Sequence, residues 1–178
     1  LPGEHNRKNA TLVIEALKNI GVDAEELEIY QAINSFPGSG RRFEKLAENL
    51  YSDYGHHPVE IQATLQMTKE LSNDVVLVYQ PHQNVRQHEI ISQYTDDIFH
   101  DANEIYWLPT YLTRENPDLP TLTPQQLAKN IDKEKVHFAK LDDSLWQEIT
   151  AARNSGKLVL CMGAGTIDGW IREQLAKN

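Results

Sequence analysis

The stretch VVLVYQPHQNVR, residues 75–86, decides the class of fold. Its first five residues are apolar or aromatic, and the chain then turns polar at once with Gln, Pro and His. A short run rich in Val and Leu, bounded by a turn signal, is typical of a strand that is buried on both faces. Similar runs recur along the chain, and we predict strands over Val75–Tyr79, Glu104–Leu108, Val136–Ala139 and Lys157–Met162.

Helical patterns separate these runs. Segments near 42–47 and 49–54 suit a hairpin, and helices are expected over about 58–71, 87–100, 125–130 and 143–155, with a last one from Ile167. Short strands alternating with helices imply crossover connections around a parallel sheet. We therefore predict a three-layer α/β domain with a mostly parallel sheet.

A helical segment precedes this pattern. Asn6 is a suitable N-cap, apolar residues follow at helical spacing, and Gly21 is a suitable stop. A second helix is expected over Asp23–Ile33, and Phe36–Gly40 has the Pro and Gly content of a domain joint. Since the chain begins with Leu1 rather than Met and enters a helix directly, we expect it to be an excised piece of a longer protein.

Composition excludes several classes of function. The chain has 178 residues, 26 Asp and Glu against 17 Lys and Arg, and a formal charge of −9, which argues against a nucleic-acid binder. Its one cysteine, Cys161, cannot form an internal disulfide, which favours a reducing compartment. We find neither an apolar run long enough to span a membrane nor a signal peptide, and so expect a soluble, cytoplasmic protein with no membrane partner.

The loop SDYGHHP, residues 52–58, is the first candidate site. It leads into a helix with Pro at its first turn, where backbone N–H groups and the helix dipole favour an anion. Tyr54, His56 and His57 stand beside that helix start. The alternative is structural: Asp53 or His57 caps the helix and Tyr54 packs.

Arginines mark two further loops. His82 and Arg86 follow the strand at 75–79, and an Arg in that position suits a carboxylate or phosphate; the alternative is a surface pair with a neighbouring acid. Arg41 and Arg42 follow the Pro/Gly joint, where closure of one domain on another would bring them to a nucleotide. The alternative there is a solvated basic pair.

Two other patterns lead to no site. Gly163-Ala164-Gly165-Thr166 resembles the start of a dinucleotide fingerprint, but Gly169 comes one position too late, so we expect tight packing and no bound dinucleotide. His56, His57 and His82 lack the spacing of a metal site, because adjacent histidines rarely point to one ion. We therefore predict no metal site in this chain.

Several of these elements together resemble the C-terminal third of a Mur ligase, most closely the alanine-adding branch. They match in order and spacing over essentially the whole chain, and DYGHHP and QPH are the most specific: PGEHN at 2–6 with Asn9, FPGSGRRFE at 36–44, DYGHHPVEI at 53–61, QPH at 80–82 and GAG at 163–165.

The resemblance implies a fold and an activity. Mur ligases have a UDP-sugar domain, a central ATPase domain and a Rossmann-like C-terminal domain that closes over the nucleotide. They use ATP to activate a carboxylate as an acyl phosphate, which an amino group then attacks to form an amide. Residues 1–38 would be the last helices of the central domain, and residues 39–178 the C-terminal domain. The UDP-muramyl substrate, an amino acid (L-alanine first) and the missing N-terminal and central domains would be the partners.

The resemblance also implies roles for individual residues. Four would bind ATP: Asn6 and Asn9 by the adenine, Arg42 at the phosphates and Asp53 at the ribose. Four would line the pocket for the incoming amino acid: Tyr54, His56, His82 and Arg86, with Arg86 meeting its carboxylate. No residue is assigned as the main catalytic base, and the Mg²⁺ ligands would lie in the missing central domain.

Three departures from the family pattern matter. The usual QPHR-[YF]-TR reads QPHQNVR, so Gln83 replaces one of two arginines expected near the amino-acid carboxylate. Ser52 replaces the first Asp of DDY, and no phosphate-loop motif GxxxxGK[ST] occurs, so this chain alone is expected to be inactive. Two alternatives stay open: a murein peptide ligase of the same family, and a stand-alone Rossmann-like binding module.

Overall fold

The computed structural model describes residues 1–22 and 26–177. Six strands form one sheet in the order β1-β2-β6-β3-β4-β5. β1 pairs antiparallel with β2, and the other neighbours pair in parallel. The predicted mostly parallel sheet is confirmed, with these strand bounds: β1 Glu44–Ala47, β2 Leu50–Asp53, β3 Val75–Tyr79, β4 Glu104–Trp107, β5 Val136–Phe138 and β6 Leu158–Met162.

Helices cover both faces of the sheet, as the predicted three layers require. Eight are described: α1 Glu4–Asn19, α2 Glu26–Ser35, α3 Pro58–Leu71, α4 Asn84–Ile90, α5 Asp96–Phe99, α6 Pro124–Leu127, α7 Asp143–Asn154 and α8 Ile167–Lys177. Side chains from α3 to α6 pack with Val75, Leu77 and Tyr79 on one face, while α7 and α8 pack with Val76 and Val78 on the other. This alternation explains why every residue of β3 is buried.

The N-terminal helices are attached loosely. The α1 helix touches α3, where Arg7 forms a two-pronged ion pair with Glu70 at 2.8 Å and the amide of Gly3 donates to the same carboxylate. Ile14 is the buried apolar residue of α1, whereas Leu12, Val13 and Ile20 are exposed. A groove of about 690 Å³ runs between α1 and α2, lined by Val13, Leu17, Ile29, Ile33, Phe36 and their neighbours.

The sequence predictions for the starts of α1 and α2 have different outcomes. Asn6 is not the N-cap, because α1 begins at Glu4 after Gly3, and the Asn6 amide instead donates to the Pro2 carbonyl oxygen at 2.9 Å. Gly3 has a φ of 85°, which favours glycine, and its carbonyl accepts the first helical hydrogen bond from Arg7. The predicted start of the second helix at Asp23 lies outside the described residues.

The prediction of one helix over 87–100 is wrong. The segment is divided into α4, a 3₁₀ turn at Ile91–Gln93 and α5, with Tyr94 between them. Tyr94 is fully buried, and its backbone leaves the helical conformation so that the ring can enter the core. The other helix bounds differ from the predictions by a few residues; no described helix is long and apolar enough to cross a membrane.

Candidate functional site

The parallel strands end at one edge of the sheet. Asp53 of β2 pairs with Met162 of β6, Met162 with Tyr79 of β3, and Tyr79 with Trp107 of β4. The loops after these strands therefore meet, which is where α/β sheets bind ligands. The edge collects Tyr54–His57, Gln80–His82, Leu108–Tyr111 and Gly163–Gly165.

An aromatic row crosses this edge. The His56 ring lies 5.8 Å from the Tyr54 ring and 5.4 Å from the His82 ring, and His82 stacks on Tyr111 at 5.8 Å, all between ring centroids. The predicted residues Tyr54, His56 and His82 are thus brought together. We call these four residues, Tyr54, His56, His82 and Tyr111, the aromatic row.

Tyr111 was missed in the sequence. It lies in the Pro-rich loop after β4, where its amide donates to the Pro81 carbonyl and its carbonyl accepts from the Gln83 amide. A signal was available, because β4 ends at the same sheet edge as β3 and the loops after both strands belong to one site.

The start of α3 has a structural cap beside the aromatic row. His57 is the N-cap, and Glu60 accepts hydrogen bonds from the His56 and His57 amides at 3.0 and 3.1 Å. Burial acts to raise the pKa of Glu60, but these two amides, together with the charges of His56 and Arg42, outweigh it and the pKa is lowered. The structural alternative is therefore correct for His57, while Nδ1 of His56 lies 3.2 Å from the Tyr54 carbonyl oxygen and 3.7 Å from Glu60.

Asp53 is 7% exposed and spans two loops. One carboxylate oxygen accepts from the Phe43 amide at 2.8 Å and the other from the Gly55 amide at 2.7 Å. Burial raises the pKa of Asp53, although these two hydrogen bonds act in the opposite direction. Asp53 therefore fixes the hairpin against the loop that carries Tyr54.

The two adjacent arginines have different surroundings. Arg41 donates to the Gly163 carbonyl at 3.1 Å, and its guanidinium lies 3.5 Å from Asp168, which Ser52 and Arg172 also contact. Arg42 is exposed and lies over the Tyr54 ring at 5.4 Å from its centroid. Within residues 1–22 and 26–177 Arg42 forms no ion pair. Its charge is therefore available at the aromatic row.

A buried hydrogen-bonded chain links the two histidine loops from below. The Tyr79 hydroxyl donates to the His56 carbonyl at 3.0 Å and lies 2.8 Å from the Tyr94 hydroxyl, which donates to Gln87 at 2.7 Å. The Gln87 amide then donates to the His82 carbonyl at 2.9 Å. Burial raises the pKa of both tyrosines, so both hydroxyls stay protonated at neutral pH. This chain fixes the spacing between His56 and His82.

The glycines after β6 permit close packing at the site. A Cβ added to Gly163 would lie 2.6 Å from the Gln80 carbonyl oxygen, and one added to Gly165 would lie 2.6 Å from the Cβ of Tyr111. Gln80 also accepts a hydrogen bond from the Ile167 amide at 3.0 Å. The prediction of tight packing is confirmed, and the neighbours are Gln80 and Tyr111.

The start of α4 is occupied by a carboxylate from a distant loop. Glu115 accepts from the Asn84 and Val85 amides at 3.0 and 3.2 Å, and from the Thr113 amide at 2.9 Å. Burial acts to raise the pKa of Glu115, but the three amides lower it overall. This contact explains why α4 begins at Asn84, earlier than the sequence predicts.

Arg86 lies on the first turn of α4 and pairs with Glu89 at 2.9 Å. Both side chains are about half exposed, so this is the surface pair considered as the alternative, and such pairs contribute little stability. A stronger anion can therefore displace Glu89. No described contact links Arg86 to the aromatic row, so its role at the site stays a prediction.

His82 has a perturbed pKa. Partial burial lowers it, the positive charges of His56 and Arg114 act in the same direction, and Glu115 opposes them. Since its ordinary pKa is about 6.5, His82 is neutral at pH 7. Among the described residues no group of three His, Cys, Asp or Glu side chains is arranged to hold a metal ion.

Asn6 and Asn9 do not join Arg42 and Asp53. The Asn6 amide lies 3.3 Å from the Met67 sulfur, near the last turn of α3, and Asn9 lines the α1–α2 groove. Arg42 and Asp53 lie near the first turn of the same helix, and nine residues of α-helix span roughly 14 Å. The four predicted ATP-binding residues thus form two separate pairs in this structure.

A site that combines the rings of Tyr54, His56 and His82 with the exposed guanidinium of Arg42 suits a small molecule that carries an anionic group. The family model described as "Mur ligase, glutamate ligase domain" matches residues 41–165. The chain belongs to the Mur ligase family. The match contains the sheet edge with the aromatic row, and the predicted resemblance is confirmed.

Relatives within the Mur ligase family cover nearly all of the chain. The UDP-N-acetylmuramate–L-alanine ligase of Jannaschia sp. is 31% identical over 96% of this chain and 37% of its own length. That of Rickettsia bellii is 34% identical over 97% of this chain and 38% of its own length. The chain thus spans little more than a third of the curated relatives it matches.

Solved structures agree on the fold. The UDP-N-acetylmuramate–alanine ligase of Thermotoga maritima has a TM-score of 0.72 and 25% identity, over 99% of this chain and 38% of that one. A murein peptide ligase from Psychrobacter arcticus has a TM-score of 0.59 at 23% identity, over 99% of this chain and 37% of that one. The six-stranded sheet is therefore that of a Mur ligase C-terminal domain.

Proposed function

We propose that this chain is the C-terminal part of an ATP-dependent ligase of peptidoglycan precursor synthesis. The enzyme forms an amide between a UDP-muramyl carboxylate and an amino acid, L-alanine first. The observation that carries the proposal is the aromatic row, with Arg42 over Tyr54 and no carboxylate of the described residues paired to this arginine. In a member of the Mur ligase family, this sheet edge would take an amino acid beside a phosphate.

The proposal divides the chain into residues 1–38, from the end of the central ATP-binding domain, and residues 39–178, the C-terminal domain. The apolar α1–α2 groove supports the division, because such a surface is usually covered by protein. The core clusters also draw their residues from after position 38. The missing N-terminal and central domains would cover this groove.

ATP is the second substrate in this proposal. Arg42 would meet its phosphates and Asp53 its ribose, while Asn6 and Asn9 would meet the adenine after movement about the joint at residues 36–40. The exposure of Arg42 supports its role, whereas the Asp53 oxygens already hold two amides and leave it fewer free lone pairs. Since the described residues form no cation site, Mg²⁺ would be held by the central domain.

The chemistry proceeds in two steps. The muramyl carboxylate attacks the γ-phosphorus of ATP, the bond to the β-phosphate oxygen breaks, and an acyl phosphate and ADP form. The amino group loses its ammonium proton to solvent and attacks the acyl carbon; the bond from that carbon to the phosphate oxygen breaks, and the nitrogen releases a second proton to the departing phosphate or to solvent as the amide forms. Water destroys an acyl phosphate, so domain closure, which brings Arg42 to the phosphates, protects the intermediate as it stabilises charge.

The amino acid would bind at the aromatic row. Tyr54, His56 and His82 would form the walls, and Arg86 would leave Glu89 to meet the carboxylate. The low pKa of His82 supports this role, because a neutral imidazole does not repel the ammonium group of the arriving amino acid. These residues bind and orient, and none is proposed as the main catalytic base.

A complementation experiment tests the proposal. The chain alone lacks a phosphate-loop motif and is expected to release no ADP. Joined to the preceding two-thirds of its parent protein, it should release ADP only when a UDP-muramyl substrate and an amino acid are both present. Arg42→Ala should abolish this release. The proposal fails if no combination of a UDP-muramyl substrate and an amino acid makes the full-length protein release ADP.

A second candidate is a murein peptide ligase of the same family. Gln83 in place of an arginine favours it, because a site with one cation fewer suits an acceptor larger than a single amino acid. Competition between L-alanine and a murein tripeptide in the same assay separates the two. A stand-alone binding module is the third, and a phosphate-loop motif in the gene upstream of Leu1 would exclude it.

A further inference from the structure

The arginines of this chain differ in whether a carboxylate neutralises them. Of the seven, four form ion pairs with acids: Arg7, Arg41, Arg86 and Arg172. Arg153 donates instead to the Glu48 carbonyl. Within the described ranges, 1–22 and 26–177, Arg42 and Arg114 form no ion pair. In a chain with 26 acidic residues, two unpaired guanidinium groups at one end of the sheet are an unusual feature.

Arg114 has a backbone conformation that disfavours any residue but glycine. Its φ is 53°, in the left-handed region, where a side chain with a Cβ is strained. The conformation is imposed from both sides, because Tyr111 is hydrogen-bonded to Pro81 and Gln83, and Glu115 holds three amides at the start of α4. Strain of this kind persists mainly at functional sites.

The Tyr111–Glu115 segment brings Arg114 to the histidines. Tyr111 stacks on His82. At the other end of the segment, Glu115 caps α4, which begins two residues after His82. The Arg114 backbone therefore lies between two residues that contact the His82 loop and the start of α4, and its exposed side chain forms no ion pair within residues 1–22 and 26–177. Partial burial and the charge of His56 are the larger causes that lower the pKa of His82, and the charge of Arg114 acts in the same direction.

The sequence lacks a cation at this place. In the family pattern an arginine follows QPH directly, and here that residue is Gln83, with a φ of 60°. The backbone of Gln83 is bonded to Tyr111, three residues before Arg114. Compared with the family pattern, the loop after β3 therefore lacks an arginine. The loop after β4, which is hydrogen-bonded to it, carries Arg114, and this arginine forms no ion pair with the described residues.

We propose that Arg114 binds the carboxylate of the incoming amino acid, in place of the arginine that Gln83 replaces. Two hydrogen bonds from its guanidinium to the carboxylate would leave the amine free to attack. The inference rests on the proposed function for the identity of the ligand, and on the geometry of this chain for the residue.

Carboxylate binding is measured on the 178-residue chain by NMR titration. L-alanine is expected to shift the ring signals of Tyr111 and His82, whereas L-alaninamide, which lacks the carboxylate, is not. Arg114→Gly should weaken L-alanine binding at least about tenfold, because charge-assisted hydrogen bonds are lost. Arg114→Lys should retain part of the affinity.

The glycine variant separates binding from folding. Arg114→Gly relieves the left-handed backbone, so its thermal midpoint should equal or exceed that of the wild type. Asn49→Gly places glycine at another left-handed position, φ 55°, in the turn before β2, and should bind L-alanine as the wild type does. Gln83→Arg combined with Arg114→Gly should recover the affinity, since it returns the cation to the other loop.

Other results would contradict either the inference about Arg114 or the proposed function on which it rests. Binding by Arg114→Gly within twofold of the wild type, or equal binding of L-alaninamide and L-alanine, would overturn the inference. Failure of Gln83→Arg to restore binding would overturn the exchange of one arginine for the other. In the full-length parent protein, amino-acid-dependent ADP release by Arg114→Gly with an unchanged KM for the amino acid would contradict the inference about Arg114 and leave the proposed function intact. Absence of such release contradicts the proposed function, and the titration then decides on Arg114.

Discussion

Adjacent residues at the site have different tasks because their partners differ. Arg41 is held by Gly163 and Asp168, and its guanidinium lies 4.6 Å from the Tyr54 ring centroid on the inner side of the loop. Arg42 meets the same ring but forms no ion pair with any acid in the described part of the chain, although its charge acts on Asp53 and Glu60. The sequence favoured Arg42 because of a family motif. The structure adds that Asp168, 127 residues from Arg41 along the chain, pairs with Arg41.

Arg41→Ala and Arg42→Ala should therefore change the free energy of unfolding by different amounts. Arg41→Ala is expected to lower the free energy of unfolding by about 1 kcal/mol, because a charge-assisted hydrogen bond and a partly buried ion pair are lost. Arg42→Ala should change it by less than about 0.5 kcal/mol, as for an unpaired surface residue. Urea unfolding of the two variants measures both values, and a larger loss in Arg42→Ala would contradict these assignments.

His82 makes stability depend on pH in a defined direction. Its pKa is lower in the folded chain than in the unfolded one, so protonation favours unfolding. Its contribution is present above the ordinary pKa of about 6.5 and is lost as the pH falls below that value. The free energy of unfolding of the wild type relative to His82→Gln should thus decrease between pH 7.5 and pH 5.5 in urea titrations. An unchanged difference would show that His82 titrates alike in both states.

At the scale of elements, strands were easier to predict than helix ends. The strands Val75–Tyr79 and Leu158–Met162 are buried on both faces, so hydrophobicity alone marks them. By contrast α4 begins where Glu115 caps it, and the helical run breaks where Tyr94 enters the core. Both are determined by contacts between residues distant in sequence, which local patterns do not contain.

The loop after β6 gives a matched pair of glycine variants. Gly165→Ala should lower the free energy of unfolding by about 1–3 kcal/mol, because its Cβ would lie 2.6 Å from Tyr111 and 2.5 Å from Gln80. Gly169→Ala, in α8 with no atom within 4 Å of the added Cβ, should raise it by up to about 1 kcal/mol. Thermal unfolding compares them, and equal shifts would contradict the packing described for Gly165.

At the scale of the whole molecule, the site combines loops from four strands, while the N-terminal helices stand apart. Tyr54, His56 and His82 could be predicted because each directly follows a strand or precedes a helix. Tyr111 and Arg114 were not, since their loop lies far along the chain and is brought in by pairing of β3 with β4. Position at the sheet edge, rather than distance in sequence, defines the site.

Residues 39–178 should fold without residues 1–38. Neither core cluster includes a residue before position 39, and the main apolar loss is the burial of Ile14. Removal of residues 1–38 should lower the free energy of unfolding by no more than about 3 kcal/mol. It should also reduce binding of an apolar dye, since the α1–α2 groove is removed. Loss of cooperative unfolding in urea would contradict this division of the chain.

Transfer of oxygen from the carboxylate to the released phosphate would reveal an acyl phosphate intermediate. The full-length parent protein is incubated with ATP, L-alanine and a UDP-muramyl substrate labelled with ¹⁸O in its carboxylate, and the phosphate released is examined by mass spectrometry. An acyl phosphate carries one carboxylate oxygen into the phosphate when the amine displaces it. We predict phosphate with one ¹⁸O atom, formed only when L-alanine is present. Unlabelled phosphate, or none, would contradict the account.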